Sequence, residues 1–92
     1  MTQKGVYFKL TGRVQGVGMR FYISRLAHKL NVKGYVKNTR DGNVIGEVVG
    51  DIKAVDAFFI QLPKKSPGFI ENIETTPLEQ LNDYQKFKVK LF

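Results

Sequence analysis

The chain opens with an alternation of apolar and polar residues over positions 6–11. A period of two residues is typical of a strand that buries one face. Over positions 20–31 the apolar residues recur at helical spacing instead, which predicts a helix with one apolar stripe. That stripe consists of Ile23, Leu26, Ala27 and Leu30, and it leaves Arg25, His28 and Lys29 on the opposite side.

Two further strands are predicted over residues 32–38 and 44–50. The segment between them contains Asp41 and Gly42. This dipeptide favours a tight hairpin, because glycine accepts the positive φ angle that such a turn needs. The two strands are therefore expected to be direct partners in a sheet.

A second helix is expected after Asp51, whose carboxylate can cap the first turn, and Pro63 ends it. A less regular strand is predicted over residues 69–76, and a final strand follows near the end of the chain. The stripe of the second helix is Val55, Phe58, Phe59 and Leu62, and the final strand alternates Phe87, Val89 and Leu91 with Lys86, Lys88 and Lys90.

The predicted order of elements is β-α-β-β-α-β-β. Each helix has a single apolar stripe, so both helices can cover the same face of a mostly antiparallel sheet of four to five strands. This arrangement is a ferredoxin-like α+β sandwich, in which the first two strands run parallel with the third between them. The lysines of the final strand are expected on a solvated face or edge of the sheet.

Composition fits one folded domain over residues 1–92, with 42% hydrophobic and 25% charged residues. The net charge of +7 favours anionic partners, such as nucleic acid, phosphorylated metabolites or acidic membrane surfaces. The absence of cysteine excludes disulfides and thiolate nucleophiles. The sequence contains no run resembling a signal peptide or a membrane span, so a cytoplasmic protein is expected.

Three glycines lie between the first strand and the first helix, at Gly12, Gly16 and Gly18. Successive amides in such a loop can form an anion-binding nest, and the helix N-terminus adds its positive dipole end. Arg20 follows at once, and its planar fork suits a tetrahedral oxyanion. The other interpretation is a tight connection without a ligand. Neither a dinucleotide loop nor a Walker A loop fits these residues.

Asn38 ends the strand before the hairpin. An amide there can simply form a turn, or it can orient a water molecule beside a bound phosphate. The second interpretation requires Asn38 to face the glycine loop, which at this point is a hypothesis.

The segments GRVQGVGMR (residues 12–20) and GYVKNTRDGNV (residues 34–44) together resemble the paired signature of the acylphosphatases, and the resemblance covers nearly the whole chain. It implies hydrolysis of small acyl phosphates, with Arg20 and Asn38 as catalytic residues. One departure is Met19, where the family usually has phenylalanine; both side chains are large and apolar, so we expect repacking and little change in chemistry. The phosphate cradle that the resemblance implies is the backbone of Gln15, Gly16, Val17, Gly18, Met19 and Arg20.

On this interpretation Arg20 and the amides hold the phosphoryl group while Asn38 orients a water molecule, and Thr39 braces Asn38 as a further hypothesis. No cofactor and no metal is expected; Asp41 and Glu47 are the nearest candidate ligands. Inorganic phosphate is expected as product and competitive inhibitor. A monomer without membrane or specific nucleic-acid partners is expected.

Three alternatives stay open. An RNA-binding module has the same topology, and residues 33–36 begin like one of its motifs, although the third strand carries no aromatic residue. Acylphosphatase-like domains also begin larger hydrogenase-maturation proteins; that the chain ends at Phe92 favours the free-standing enzyme. A binding protein that kept the loop without activity is disfavoured, because Arg20 and Asn38 are both present.

Overall fold

A computed structural model describes residues 2–91; Met1 and Phe92, the ends of the predicted domain, lie outside the described residues. The elements follow in the predicted order. Neither helix in the described range is long and apolar enough to cross a membrane. The strands are β1 (Gln3–Arg13), β2 (Lys33–Asn38), β3 (Val44–Asp51), β4 (Phe69–Pro77) and β5 (Phe87–Lys90), and the helices are α1 (Met19–Leu30) and α2 (Ile52–Gln61).

The five strands form one sheet in the order β4-β1-β3-β2-β5. Because β3 is antiparallel to both β1 and β2, those two strands run in the same direction. The edge strand β5 pairs with β2 in parallel, and the rest of the sheet is antiparallel. The ferredoxin-like α+β sandwich is therefore confirmed, including the position of the third strand between the first two.

Both helices pack on one face of the sheet and form a single core with it. The predicted stripes are correct, except that Leu30 and Phe59 are only partly buried. Phe8 of β1 lies between the aromatic residues of α2, with ring centroids 6.0 Å from Phe58 and 5.9 Å from Phe59. Edge-to-face and tilted ring pairs of this kind add to the burial of apolar area.

The two helices start differently. Helix α1 follows Gly18, which adopts a left-handed conformation (φ 86°), and no side chain caps it. Helix α2 follows Asp51, whose Oδ2 accepts a hydrogen bond from the Lys53 amide at 3.2 Å, as predicted. The hairpin between β2 and β3 also forms as expected, with Gly42 at φ 93°.

The final strand is present, but only its first apolar residue enters the core. Phe87 is 4% exposed, whereas Val89 is 41% exposed and Leu91, just beyond the strand, is 72% exposed. Strand β5 lies parallel to β2 at the edge of the sheet, so its last residues reach the end of the sheet where α1 begins. Helix α1 covers Phe87 and does not cover Val89 or Leu91.

Candidate active site

The ends of three parallel strands meet at one end of the sheet, which we call the loop end. The glycine loop follows β1, Asn38 is the last residue of β2, and Leu91 follows β5. Strands β1, β2 and β5 all run toward this end. Asn38 is two residues beyond the buried Val36, so it lies on the helix-covered face of the sheet. Topology therefore brings Asn38 next to the start of α1.

A cavity of about 360 Å³ opens at the loop end. Of the residues that the sequence singled out, it brings together Gly16, Gly18, Met19, Arg20 and Asn38. The others are Val14, Phe21, Val89 and Leu91.

Two predicted cradle residues do not line this cavity with the rest. Val17 packs against the hydrophobic core and faces a second groove, on the other side of the loop. Gln15 sends its side chain to the β2–β3 hairpin. For both residues the expected contribution comes from the backbone, and this stays a prediction.

The backbone of the loop is built to leave its amides free. Gly16 and Gly18 have φ angles of 73° and 86°, in the left-handed region that favours glycine. The helix's first hydrogen bond runs from the Tyr22 amide to the Gly18 carbonyl at 3.0 Å. Within the described part of the chain, the amides of residues 15–20 donate to no other group. Free amides at an uncapped helix N-terminus form a site for an anion.

Arg20 is partly buried in the first turn of α1, and its Nη1 donates a hydrogen bond to the Lys90 carbonyl at 3.3 Å. This contact holds the guanidinium group between α1 and β5. No carboxylate within residues 2–91 pairs with it, since the ion pair of that range joins Lys4 and Asp56. No acidic residue precedes Asp41 in the sequence, so the loop and α1 carry only positive formal charges.

Met19 belongs to the core more than to the cavity. Its side chain is 2% exposed and lies in the cluster that joins both helices to the sheet. A flexible thioether can adapt its shape to such a position. A change of side chain at this buried position acts on packing, and the expected small effect on the chemistry stays a prediction.

The hairpin after Asn38 is fixed by Thr39. The Thr39 amide donates to the Asn43 carbonyl at 2.9 Å, and the Asn43 amide donates to Thr39 Oγ1 at 3.1 Å. The Thr39 hydroxyl also donates to Asp41 Oδ1, and this hydrogen bond lowers the pKa of the Asp41 carboxyl. Thr39 therefore braces the turn that follows Asn38, and in the described residues it makes no hydrogen bond to the Asn38 side chain.

Gln15 has a role that sequence reasoning missed. Its Nε2 donates to the Thr39 carbonyl at 2.7 Å and to the Asn43 carbonyl at 2.9 Å. One side-chain amide thus ties the glycine loop to the hairpin that positions Asn38. No local pattern predicts this contact, because the partners are more than twenty residues away along the chain.

The two candidate metal ligands, Asp41 and Glu47, make different contacts. Asp41 serves the hairpin, and Glu47 projects from the face of the sheet opposite the helices. On that face Glu47 Oε1 accepts a hydrogen bond from the Tyr84 hydroxyl at 2.6 Å. Burial and this hydrogen bond raise the pKa of Tyr84 to about 12. Among residues 2–91, no three His, Cys, Asp or Glu side chains come together as a group that could hold a metal ion.

Comparison with known proteins gives a consistent result. Residues 6–89 match the acylphosphatase family. The acylphosphatase of Thermotoga maritima is 37% identical, over 97% of this chain and 99% of that protein. The acylphosphatase of Clostridium beijerinckii is 41% identical, over 86% of this chain and 89% of that protein.

Solved structures agree with the sequence comparison. The crystal structure of acylphosphatase from Bacillus subtilis has a TM-score of 0.90 at 30% identity, covering 95% of this chain and 98% of that one. The HypF structure from T. kodakarensis matches 97% of this chain with a TM-score of 0.87 at 33% identity, although only 12% of that protein is covered.

The fold, the loop and these relatives define a hydrolase that acts on acid anhydrides. The chain belongs to the acylphosphatase family, as the two sequence segments indicated, and acylphosphatase activity is the function that this membership supports.

Proposed function

We propose that this protein hydrolyses small acyl phosphates by in-line attack of a positioned water molecule. The observation that carries the proposal is the cavity at the loop end, where the free loop amides, Arg20 and Asn38 share one space. An anion site next to a side-chain amide has both parts that the reaction needs: a cradle for the phosphoryl group and a group that orients water.

The balance of the reaction explains why so few residues suffice. The water oxygen forms a bond to phosphorus while the bond from phosphorus to the acyl oxygen breaks. The electron pair leaves with the carboxylate, and the proton of the attacking water passes to solvent, which yields inorganic phosphate. A carboxylate is a weak base, so it departs without a proton donor. The single histidine, His28, is exposed on α1 outside the cavity and takes no part.

Arg20 and the loop amides act on the charge of the phosphoryl oxygens. They are fixed donors, held by the helix start and by the contact with the Lys90 carbonyl. Donors that are already oriented stabilise a transition state without reorganising, and this stabilisation commonly contributes more to the rate than any other single effect. The positive charges along α1 also attract the anionic substrate.

Asn38 orients the attacking water. A neutral amide is too weakly basic to remove a proton, so its contribution is positional. Its oxygen accepts a hydrogen bond from the water and aligns the lone pair with phosphorus. The hairpin braced by Thr39, and tied to the loop by Gln15, keeps this amide at a fixed distance from the cradle.

The proposal also covers inhibition by phosphate, the oligomeric state, cofactors and the location of the protein. Inorganic phosphate competes with the substrate for the same cradle. The proposal includes a monomer as the active form. The scheme requires neither a metal nor a cofactor. The proposal also places the protein in the cytoplasm.

The test is hydrolysis of benzoyl phosphate in the presence of a chelator, with inorganic phosphate as inhibitor. We expect turnover that the chelator does not reduce and that phosphate inhibits competitively. Lack of turnover, or its loss on chelation, contradicts the proposal. A gel shift with single-stranded RNA tests the alternative: specific binding that survives moderate salt would favour the RNA-binding module.

A further inference from the structure

Three large apolar side chains are exposed around the cavity at the loop end. Phe21 is 66% exposed, Val89 is 41% exposed and Leu91 is 72% exposed. They come from two elements, the first turn of α1 and the end of β5, and all three line the cavity that also contains Arg20 and Asn38. Adjacent exposed apolar residues beside a polar site commonly mark a surface that a ligand covers.

The strand register explains why these side chains meet there. Val89 pairs with Val36, whose side chain is fully buried beneath the helices. Leu91 is two residues further along, so it lies on the same face, beside the strand end that carries Asn38. Phe21 approaches from the helix, and the Arg25 guanidinium lies 5.7 Å from the centre of its ring. These contacts give the cavity one polar wall and one apolar wall.

The charges in the cavity restrict what can lie against the apolar wall. Arg20 is the one charged residue among those that line it in the described chain, and the phosphoryl group uses that charge. Beyond Arg20, no charged side chain among the described lining residues is available to a second charged group on the substrate; Arg25, which lies near the Phe21 ring, is not one of the lining residues. A hydrocarbon group gains from leaving water against the apolar wall, whereas a charged group has no such gain there.

We propose that Phe21, Val89 and Leu91 form an acyl-group subsite, which selects acyl phosphates whose acyl part is uncharged and apolar. The inference rests on the proposed function, because it assigns the phosphoryl group to the cradle and the acyl group to the remaining space. The cavity volume of about 360 Å³ lies in the range of small-molecule sites and exceeds the need of a phosphoryl group alone. The subsite favours an aliphatic chain or an aromatic ring over acetyl, carbamoyl or carboxylated acyl groups.

The test is a series of acyl phosphates from acetyl through butyryl to hexanoyl, with kcat/KM as the readout. We expect kcat/KM to rise about twofold to threefold per added methylene, as burial of hydrocarbon in a partly open site gives. In Phe21→Ala and Leu91→Ala the ratio of hexanoyl to acetyl phosphate should fall at least fivefold. Ile60→Ala is the matched control, because it removes an apolar side chain that is 62% exposed on α2, outside this cavity.

Binding of alkylphosphonates, measured by calorimetry, separates this inference from the proposed function. These compounds carry a phosphonate group, which resembles the phosphoryl group in shape and charge, together with the hydrocarbon, and they are not hydrolysed. Tighter binding of hexylphosphonate than methylphosphonate, lost in Leu91→Ala, supports the subsite even if no acyl phosphate turns over, and only the proposed function then fails. Turnover of the whole series at equal kcat/KM, or an unchanged ratio in both variants, overturns the subsite and leaves the proposed function standing.

Discussion

The two helices of this domain begin in opposite ways. At α1 the N-cap is Gly18, no side chain covers the first amides, and the first turn contains no acidic residue. At α2 the Asp51 carboxylate accepts from the Lys53 amide, and the Ile52 amide donates to the Thr2 carbonyl. At α2 two of the first amides therefore have partners within the described chain, whereas the first amides of α1 are left free.

The difference shows how a small fold separates stability from function. A side-chain cap stabilises a helix by about 1 kcal/mol, so the open end of α1 forgoes that stabilisation. In exchange, its amides and dipole are available to an anion. Glycine at position 18 has two consequences. It accepts the left-handed conformation, and it places no side chain beside the free amides.

Arg20→Ala should have the largest effect, because it removes the charge at the open helix start. We expect kcat/KM for benzoyl phosphate to fall by about 10³-fold and inhibition by phosphate to weaken greatly. Lys53→Ala, which removes a positive charge from the first turn of the capped helix, is the matched control and should change kcat/KM by less than about twofold. Equal losses of kcat/KM in both variants would mean that the rate depends on the total positive charge of the protein and not on a charge at the start of α1.

Asn38→Ala should separate catalysis from binding. Loss of the water-orienting amide is expected to lower kcat by about 10²-fold, while the inhibition constant for phosphate stays within about twofold. Steady-state kinetics with phosphate as inhibitor measure both quantities. Hydrolysis at the wild-type rate would show that Asn38 does not position the water.

Gly18→Asp converts the open helix start into one that resembles the capped start. The space beside the glycine is empty, so the carboxylate can take the place of the anion. Gly18→Asn is the control, since it has the same shape and a comparable cost of about 1 kcal/mol for the left-handed conformation. We expect the phosphate inhibition constant to be about tenfold higher in Gly18→Asp than in Gly18→Asn. Equal constants would mean that phosphate does not bind at this helix start.

Gln15→Ala should loosen the tie between the open helix start and the hairpin. Two hydrogen bonds are lost, so we expect kcat to fall about fivefold and unfolding to become easier by about 1 kcal/mol. Gln15→Glu should be more damaging, because a carboxylate would then face the Thr39 and Asn43 carbonyls. A loss of stability in urea with unchanged kcat would assign Gln15 a purely structural role.

Asp51→Ala tests the other side of the comparison and should have the smallest effect. Loss of the cap should lower the free energy of unfolding by about 1 kcal/mol, with kcat within about twofold of the wild type. Asp51→Asn retains a capping oxygen and should recover most of the stability. Urea unfolding and the benzoyl phosphate assay are sufficient, and a marked loss of activity would contradict the division between the two helix starts.

The contrast between the helix starts was largely predictable from local sequence. Asp51 before a helical stripe predicts a cap, and the glycines before Arg20 predict an open loop. The element order and the sandwich followed from apolar periodicity, because each pattern lies within one element. Local features made Arg20 and Asn38 candidates, and the resemblance of two short segments implied their catalytic roles.

What sequence reasoning missed depends on the sheet order. The hydrogen bonds of Gln15 join a loop to a hairpin that is distant along the chain. Phe87, Val89 and Leu91 alternate with lysines, and this pattern indicates one buried face. Val89 and Leu91 nevertheless line the cavity, because the helix does not extend over them. Periodicity identifies one face of a strand, but it does not predict how far along that face a helix packs.

We propose that the open start of α1 holds a phosphoryl group while water attacks phosphorus. Hydrolysis of benzoyl phosphate in ¹⁸O-labelled water tests it most directly, with mass spectrometry of both products. Attack at phosphorus breaks the bond to the acyl oxygen, so we expect the label to enter inorganic phosphate and benzoate to stay unlabelled. Label in benzoate would show attack at the carbonyl carbon, and it would contradict the roles given to Arg20, the loop amides and Asn38.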